Sequence, residues 1–104
     1  MGKDQQMFGT VYQMRPRAGQ EQAVAEHLRR WERERRPNID GAVAGYLFRS
    51  KGRPEMLVGV AVFDSEASYR RNADDPAQDL WYRQLRELLE TDPEWDDGDV
   101  LVAI

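Results

Sequence analysis

The chain has 104 residues, which fits one domain with enough material for a single hydrophobic core. Its 15 Lys and Arg against 19 Asp and Glu give a net charge of -4, which argues against a dedicated nucleic-acid-binding protein. The absence of cysteine excludes disulfides, thiolate metal ligands and a cysteine nucleophile. No stretch has the apolar length of a membrane span, so we expect one cytoplasmic domain over residues 1–104, with residues 1–6 disordered.

The first half of the chain predicts a strand followed by an amphipathic helix. Met7–Met14 is rich in aromatic and β-branched residues and ends before Pro16, which cannot continue the ladder. The strand alternation puts Phe8, Thr10, Tyr12 and Met14 on one face. Gln20–Arg36 consists of helix formers with an apolar stripe. That stripe comprises Ala23, Val24, Leu28 and Trp31, with His27 among them.

A hairpin is expected in the middle of the chain. Ala42–Arg49 and Met56–Phe63 both have strand character, and the short polar segment Ser50–Pro54 between them suits a tight connection. The second of these strands carries no charge and is apolar on both faces. Such a strand has to be covered on both faces, and a chain this short has few helices and strands with which to cover them.

The second half predicts a broken helix and a last strand. Glu66–Ala73 forms the first helical piece, Asp74–Pro76 interrupts it, and Ala77–Glu90 resumes with leucines at helical spacing. The polar run Glu94–Asp99 is interpreted as a connection, and the apolar Val100–Ile104 as the fourth strand.

The order strand, helix, strand, strand, helix, strand predicts an α+β, ferredoxin-like βαββαβ domain. Right-handed crossovers put both helices on one face of a four-stranded antiparallel sheet, with strands one and three in the middle. The other face stays bare and apolar, so we expect a homodimer that packs sheet against sheet. Strands two and four lie at the edges, where a terminus of the partner could extend the pairing.

The chain resembles the antibiotic biosynthesis monooxygenase-like (ABM) family of the dimeric α/β-barrel superfamily. The resemblance covers Met7–Ile104 and marks the architecture rather than a catalytic signature. It rests on Met14–Glu21 before a charged helix, Gly41–Arg49 as the second strand, Val62–Tyr69, and Asp75–Gln78.

The resemblance implies oxidation of polycyclic phenols or quinols by molecular oxygen with no metal or flavin, in a cavity between the sheet and the two helices. Some relatives degrade haem and others have no assigned activity. This chain has Gln78 where many relatives have a histidine, so a base at that position is lost. It also lacks an asparagine in the first strand and any histidine after His27, which departs from the haem-degrading pattern.

His27 is the candidate catalytic base, because it is the only imidazole and its ordinary pKa near 6.5 suits neutral pH. The alternative is a core histidine held by one hydrogen bond. The candidate substrate-binding residues are Tyr12, Trp31, Tyr46, Asn72 and Trp81. The tyrosine hydroxyls could donate to a phenolate or quinone oxygen, and the tryptophans could stack on a flat substrate. The alternatives are plain core packing for the aromatic residues and a turn cap for Asn72.

One histidine without cysteine does not make a transition-metal site, and Asp96, Asp97 and Asp99 lack the spacing of a calcium loop. We therefore expect no metal and no cofactor. Trp95 lies among these acids and is interpreted as a contact with a partner subunit. The leading hypothesis is a cofactor-independent monooxygenase, with no nucleic-acid or membrane partner. The alternatives are a non-catalytic module that binds a small aromatic ligand and a dimer with no ligand.

Overall fold

The structure, a computed structural model, describes residues 6–104. The expected disorder of residues 1–6 falls outside the described residues except at Gln6, whose side-chain amide donates a hydrogen bond to the main-chain carbonyl of Val100. None of the helices in residues 6–104 has the length and hydropathy that crossing a bilayer requires.

A four-stranded antiparallel sheet forms the centre of the domain. The strands are β1 (Phe8–Met14), β2 (Ala42–Arg49), β3 (Leu57–Phe63) and β4 (Glu94–Asp99), in the spatial order β2-β3-β1-β4. The predicted βαββαβ topology is therefore confirmed, with the first and third strands in the middle and the second and fourth at the edges.

The helices follow in the expected places. They are α1 (Glu21–Arg30), α2 (Glu66–Ala73) and α3 (Pro76–Arg86). The predicted single helix from residue 20 to residue 36 is α-helical only as far as α1, and it continues as a π-helical turn at Trp31–Arg35 and a 3₁₀ turn at Arg36–Asn38. The apolar spacing that predicted the helix does not distinguish these hydrogen-bond patterns, which differ by one residue in the partner of each N–H.

The starts of α2 and α3 are fixed by side-chain caps. Ser65 Oγ accepts a hydrogen bond from the Ser68 N–H at 3.1 Å, and Asp75 Oδ1 accepts one from the Ala77 N–H at 2.9 Å. Pro76 at the first helical position suits α3, because an N–H there would have no partner within the helix. The chain therefore forms two separate helices here, each with its own N-terminal cap, and not one kinked helix.

All helices that contribute to the core lie on one face of the sheet. Val24 of α1 and Leu85 of α3 are fully buried against Met14 of β1 and Leu57 of β3. The alternation predicted for β1 is confirmed, since Phe8, Thr10, Tyr12 and Met14 are all buried while Val11 is 42% exposed. Burial of these apolar side chains is the main term that holds the helices on the sheet.

The prediction for the last strand was wrong. Val100–Ile104 is not a strand, and the acidic run Glu94–Asp99 pairs with β1 along its length, from Gln13 opposite Glu94 to Phe8 opposite Asp99. The Val100 N–H donates to the Met7 carbonyl at 2.9 Å, next to the start of β1 at Phe8. A ladder of main-chain hydrogen bonds at an exposed edge overrides the low strand propensity of aspartate.

The end of the last helix also differs from the prediction of residue 90. The α-helix ends at Arg86, and the following residues pair with the segment after β1 instead. The Arg17 N–H donates to the Leu88 carbonyl and the Glu90 N–H to the Arg15 carbonyl, both at 2.9 Å. Leu89 is fully buried there, so its apolar character reflects the core and not a helical turn.

Candidate ligand-binding site

A cavity of about 610 Å³ lies between the sheet and the helices. All three tryptophans and all four tyrosines of the chain border it. They come from β1, β2, the π-helical turn, α2, α3 and β4 and comprise Tyr12, Trp31, Tyr46, Tyr69, Trp81, Tyr82 and Trp95. The volume is within the range of about 300–1,000 Å³ that small-molecule sites occupy.

Tyr12 forms the floor of the cavity, and its two cross-strand partners explain its position. It lies opposite Gly59 on β3 and opposite Trp95 on β4. Its ring lies over Gly59, where a Cβ would come within 2.1 Å of Tyr12 Cζ, and its centroid is 4.8 Å from the Trp95 ring. A glycine inside a strand is typical of such a close approach, so Gly59 makes room for the Tyr12 ring.

Tyr12 and Tyr69 are neutral hydrogen-bond donors at ordinary pH. Burial raises the pKa of Tyr12 to about 12. Burial, together with the nearby Asp97 carboxylate, also raises the pKa of Tyr69, whose hydroxyl donates to Asp97 Oδ1 at 3.1 Å. The Tyr12 hydroxyl has no hydrogen-bond partner among residues 6–104, so it remains able to bond a ligand.

One end of the cavity carries a polar cluster held by the π-helical turn. Trp31 Nε1 donates to Gln78 Oε1 at 2.9 Å, and Arg35 Nε donates to the same oxygen at 3.2 Å. Arg35 Nη2 donates to Asn72 Oδ1 at 2.9 Å. Trp31 and Arg35 are one turn apart on the same side of the helix, which brings both donors to α3. Asn72 and Gln78 border the cavity, and Arg35 lies behind them.

His27 lies outside the residues that border the cavity. It is buried against α3, with Nε2 2.9 Å from the main-chain oxygen of Trp81 and its ring stacked on the Trp81 indole at 4.9 Å. Since a carbonyl oxygen only accepts, His27 Nε2 carries the proton. The Trp81 Nε1–H returns a hydrogen bond to the His27 carbonyl at 3.2 Å. His27 is therefore packed against α3 and does not border the cavity.

The predicted binding residues separate into two groups. Tyr12, Trp31, Asn72 and Trp81 come together around the cavity. Tyr46 also borders it, but Tyr46 is opposite Val60, which is opposite Val11 on the open face of the sheet. Its side chain is 66% exposed on that face, so the face of Tyr46 is not the one that meets the helices. A bulge in β2 at Ala42/Ala44 changes the register with β3 and is not visible in the sequence pattern.

Charged side chains surround the mouth of the cavity. Arg29, Glu32 and Asp79 border it and are largely exposed. Glu32 pairs with Arg36 at 2.9 Å and Asp79 pairs with Arg83 at 3.1 Å, both one helical turn apart. No group of three or more His, Cys, Asp or Glu side chains within residues 6–104 has the geometry to hold a metal ion.

Sequence reasoning did not predict three of the seven tyrosines and tryptophans that border the cavity, namely Tyr69, Tyr82 and Trp95. Trp95, interpreted as a partner contact, packs between Tyr12 and Tyr82, with ring centroids at 4.8 Å and 6.3 Å. Tyr82 was not singled out at all. The acidic residues around Trp95 do not have the composition of a strand, so the sequence gives no sign that Trp95 lies in the sheet. Its pairing with Tyr12 shows that it forms a wall of the cavity. Gln78 was noted for the histidine it replaces and not for the hydrogen bonds it makes.

The fold is shared with several solved structures. A "putative Antibiotic biosynthesis monooxygenase" from Chloroflexus aurantiacus has 18% sequence identity and a TM-score of 0.76, with 94% of this chain and 96% of that chain covered. One of the same description from Caulobacter crescentus has 13% identity and a TM-score of 0.82, with 94% and 92% covered. A protein of unknown function from Nitrosomonas europaea has 17% identity and a TM-score of 0.78, with 98% and 96% covered.

In sequence, no family model matches the chain, and no curated protein is significantly similar. The likeness is therefore one of three-dimensional structure, and it covers nearly the whole length on both sides. Together with the strand order and the helices on one face of the sheet, it establishes that this chain has the ferredoxin-like α+β fold of the ABM-like structures.

Proposed function

We propose that this chain binds a flat aromatic phenol or quinol in its cavity and oxidises it with molecular oxygen, without a metal or flavin. The observation that carries the proposal is the presence of all three tryptophans and of Tyr12, Tyr69 and Tyr82 around one cavity of about 610 Å³. Aromatic side chains stack on flat rings, and their polar atoms can bond the oxygens of the ligand. The monooxygenase names of structures with the same fold support the choice of reaction by analogy.

The reaction needs little from the protein, because the substrate anion itself gives an electron to oxygen. In an anthrone-type substrate, a ring CH₂ becomes C=O; one atom of O₂ enters the product, and the other leaves as water with the two hydrogens. The protein contributes a largely dry aromatic cavity and donors that stabilise the oxyanion. The neutral Tyr12 hydroxyl is one such donor, since its raised pKa keeps the proton on the phenol.

The second candidate is a non-catalytic module that binds the same kind of ligand. The observation that favours it is the position of His27, the only imidazole, outside the cavity. The carboxylates at the mouth, Glu32 and Asp79, are both ion-paired. An enzyme with this site acts on substrates that ionise readily, whereas a binding module needs no proton acceptor.

Oxygen uptake by the metal-stripped protein tests the proposal, with anthrone, a naphthohydroquinone and a simple hydroquinone as substrates. We expect uptake above the autoxidation rate for the polycyclic substrates and a decrease in Tyr12→Phe, which removes one donor. Binding without uptake would support the second candidate. If the protein shows no uptake and binds none of the substrates, both candidates are overturned, and a dimer with no ligand remains.

The role of His27 is tested in the same assay by His27→Gln. The glutamine Nε2 replaces the imidazole N–H that bonds the Trp81 carbonyl, so the contact between α1 and α3 survives. Because His27 does not border the cavity, we expect the variant to keep its uptake. A folded variant without uptake would instead make His27 the base.

We also propose that a second copy of the chain covers the open face of the sheet. That face exposes Val11, Tyr46 and Phe48, and the segment after β4 exposes Leu101 and Val102 at its edge. Large exposed apolar surfaces of this kind favour a two-fold partner, and a terminal segment at a sheet edge can pair with the partner's strands. The homodimer is the simplest assembly that buries both features.

A further inference from the structure

The amide groups of Asn72 and Gln78 have only one hydrogen-bonding orientation that fits their surroundings. Arg35 donates to Asn72 Oδ1 at 2.9 Å and to Gln78 Oε1 at 3.2 Å. A guanidinium has no acceptor, so a flipped amide would place donor against donor. The oxygens of both amides therefore face Arg35, and the NH₂ groups face away from it.

Gln78 is restricted further by Trp31. The indole Nε1–H donates to Gln78 Oε1 at 2.9 Å, in addition to the bond from Arg35. An amide oxygen has two lone pairs, and both are used here. Gln78 can therefore offer a ligand only its NH₂ donors and has no acceptor left for a ligand hydroxyl.

These NH₂ groups are available at the wall of the cavity. Asn72 and Gln78 both border it, and both side chains are partly exposed. Within residues 6–104, neither amide nitrogen donates a hydrogen bond. Arg35 itself is only 18% exposed, and its charge is partly balanced by Asp75 Oδ2 at 3.8 Å. The result is a pair of oriented donors with a buried cation behind them.

We infer that the Asn72 and Gln78 amides form a subsite for an acceptor oxygen of the ligand, such as a quinone carbonyl or a phenolate, and that Arg35 is the positioning residue that orients both. This inference rests on the proposed ligand cavity and names the feature of the ligand that the cavity selects. An aromatic ligand with a carbonyl at its edge fits between these donors and the aromatic walls. A plain hydrocarbon leaves the donors unpaired, which lowers its affinity.

The test compares binding of 1,4-naphthoquinone and naphthalene by isothermal titration calorimetry. The two probes share one ring system, and only the quinone carries acceptor oxygens. The critical variant is Gln78→Glu, which is nearly isosteric. Its carboxylate still accepts from Trp31 and Arg35, but it replaces the NH₂ donor with an acceptor oxygen. We expect the quinone to bind about tenfold more weakly in Gln78→Glu and the affinity for naphthalene to stay unchanged.

Gln84→Glu is the matched control, because Gln84 is exposed on the same helix, does not border the cavity and gains the same charge. It should bind both probes like the original chain. Asn72→Asp tests the second amide and replaces Gln78→Glu if that variant does not fold. Arg35→Lys, which cannot hold two amides in a fixed fork, should lower the preference for the quinone and leave naphthalene binding intact.

Equal binding of the two probes to the original chain would overturn the subsite and leave the aromatic cavity intact. An equal loss of both probes in folded Gln78→Glu would also overturn it, since the residue would then only support the wall. If neither probe binds, the subsite is wrong and the proposed ligand cavity fails with it. If the protein takes up oxygen but binds the two probes equally, the subsite is wrong while the proposed function still holds.

Discussion

The two faces of the sheet are similarly apolar in sequence but differ in what covers them. On the face toward the helices, Phe63 is 2% exposed and Met14 is fully buried. On the opposite face, Phe48 is 52% exposed and Tyr46 is 66% exposed. The alternation of a strand assigns residues to a face but does not say what lies against it. A single chain of this length covers one face, and we propose that a second copy of the chain covers the other.

The same contrast separates the two candidate tyrosines. Tyr12 has a buried ring between Gly59 and Trp95, whereas Tyr46, one strand beyond β3, lies on the exposed side. The first has a pKa raised to about 12 by burial. Two tyrosines on strands separated only by β3 therefore have different surroundings, because only one of them belongs to the covered face.

The largest expected effect concerns the open face. Tyr46→Glu places a charge in the surface that we propose to bury between two copies, and a buried unpaired carboxylate is strongly unfavourable. Light scattering should give the mass of two chains for the original protein and of one chain for the variant. Leu80→Glu is the control, since Leu80 is 53% exposed on α3, away from that face, and should leave the mass unchanged. A monomeric original protein would contradict the proposed dimer.

The next effect compares two phenylalanines on opposite faces. Phe63→Ala should lower the free energy of unfolding by about 3–5 kcal/mol, because it leaves a cavity in the covered core. Phe48→Ala should lower it by less than about 1 kcal/mol when both are made in the Tyr46→Glu background, where no partner covers the face. Urea titration measures both. Equal losses would mean that the open face is covered within one chain.

Alkaline pH should destabilise the covered face through Tyr12. Its pKa is raised from 10.0 to about 12 in the folded state, so the unfolded chain loses the phenolic proton first. Folding stability is therefore unaffected by Tyr12 below pH 10 and falls as the pH rises toward 12, by up to about 2–3 kcal/mol. Unfolding at fixed urea across this range measures the loss.

Tyr12→Phe provides the comparison for that titration. It should remove most of the extra slope between pH 10 and 12, while the slopes from Tyr69 and Tyr82, whose pKa values are also raised by burial, remain. An unchanged slope in the variant would mean that the Tyr12 hydroxyl is accessible to solvent in the folded state.

The smallest effect tests why the Tyr12 ring can lie over β3. Gly59→Ala places a Cβ within 2.1 Å of the ring, so the ring or the strand has to shift, at a cost of about 1–3 kcal/mol. Gly98→Ala in β4 has open space and should cost less than about 0.5 kcal/mol. Near-ultraviolet circular dichroism should report the displaced Tyr12 and Trp95 rings in the first variant only. Similar spectra for both would show that the close contact is not maintained in solution.

The sequence predicted local structure well where the spacing of apolar residues agrees with the positions of capping and turn residues. Phe8 to Met14 alternate as expected, and α2 and α3 are separated at the expected break, where Asp75 caps α3. It failed where a distant partner decides the structure. Glu94–Asp99 becomes a strand because it pairs with the main chain of β1, whereas Val100–Ile104 lies beyond the residues that pair with β1.

The candidate site shows the same limit. The sequence proposed Tyr12, Trp31, Asn72 and Trp81, and all four border the cavity. The three aromatic residues could be proposed because aromatic residues on strands and helix stripes face a core. The sequence could not show whether His27 borders the cavity. His27 and Trp31 are one helical turn apart on the same apolar stripe, and only Trp31 borders it. The sequence also missed the pairing of Arg35 with Gln78, which are 43 positions apart in the chain.

The sequence by itself determined the order of strands and helices, the alternation of faces along β1 and the small set of aromatic residues available for a site. These properties follow from the local periods of helix and strand and from turn residues acting over a few positions. Only the tertiary structure decided the pairing of β4, the position of Tyr12 over Gly59, the burial of His27 and the orientation of the two amides. Each of these depends on contacts between residues far apart in the chain, whose relative positions are set by packing and strand register.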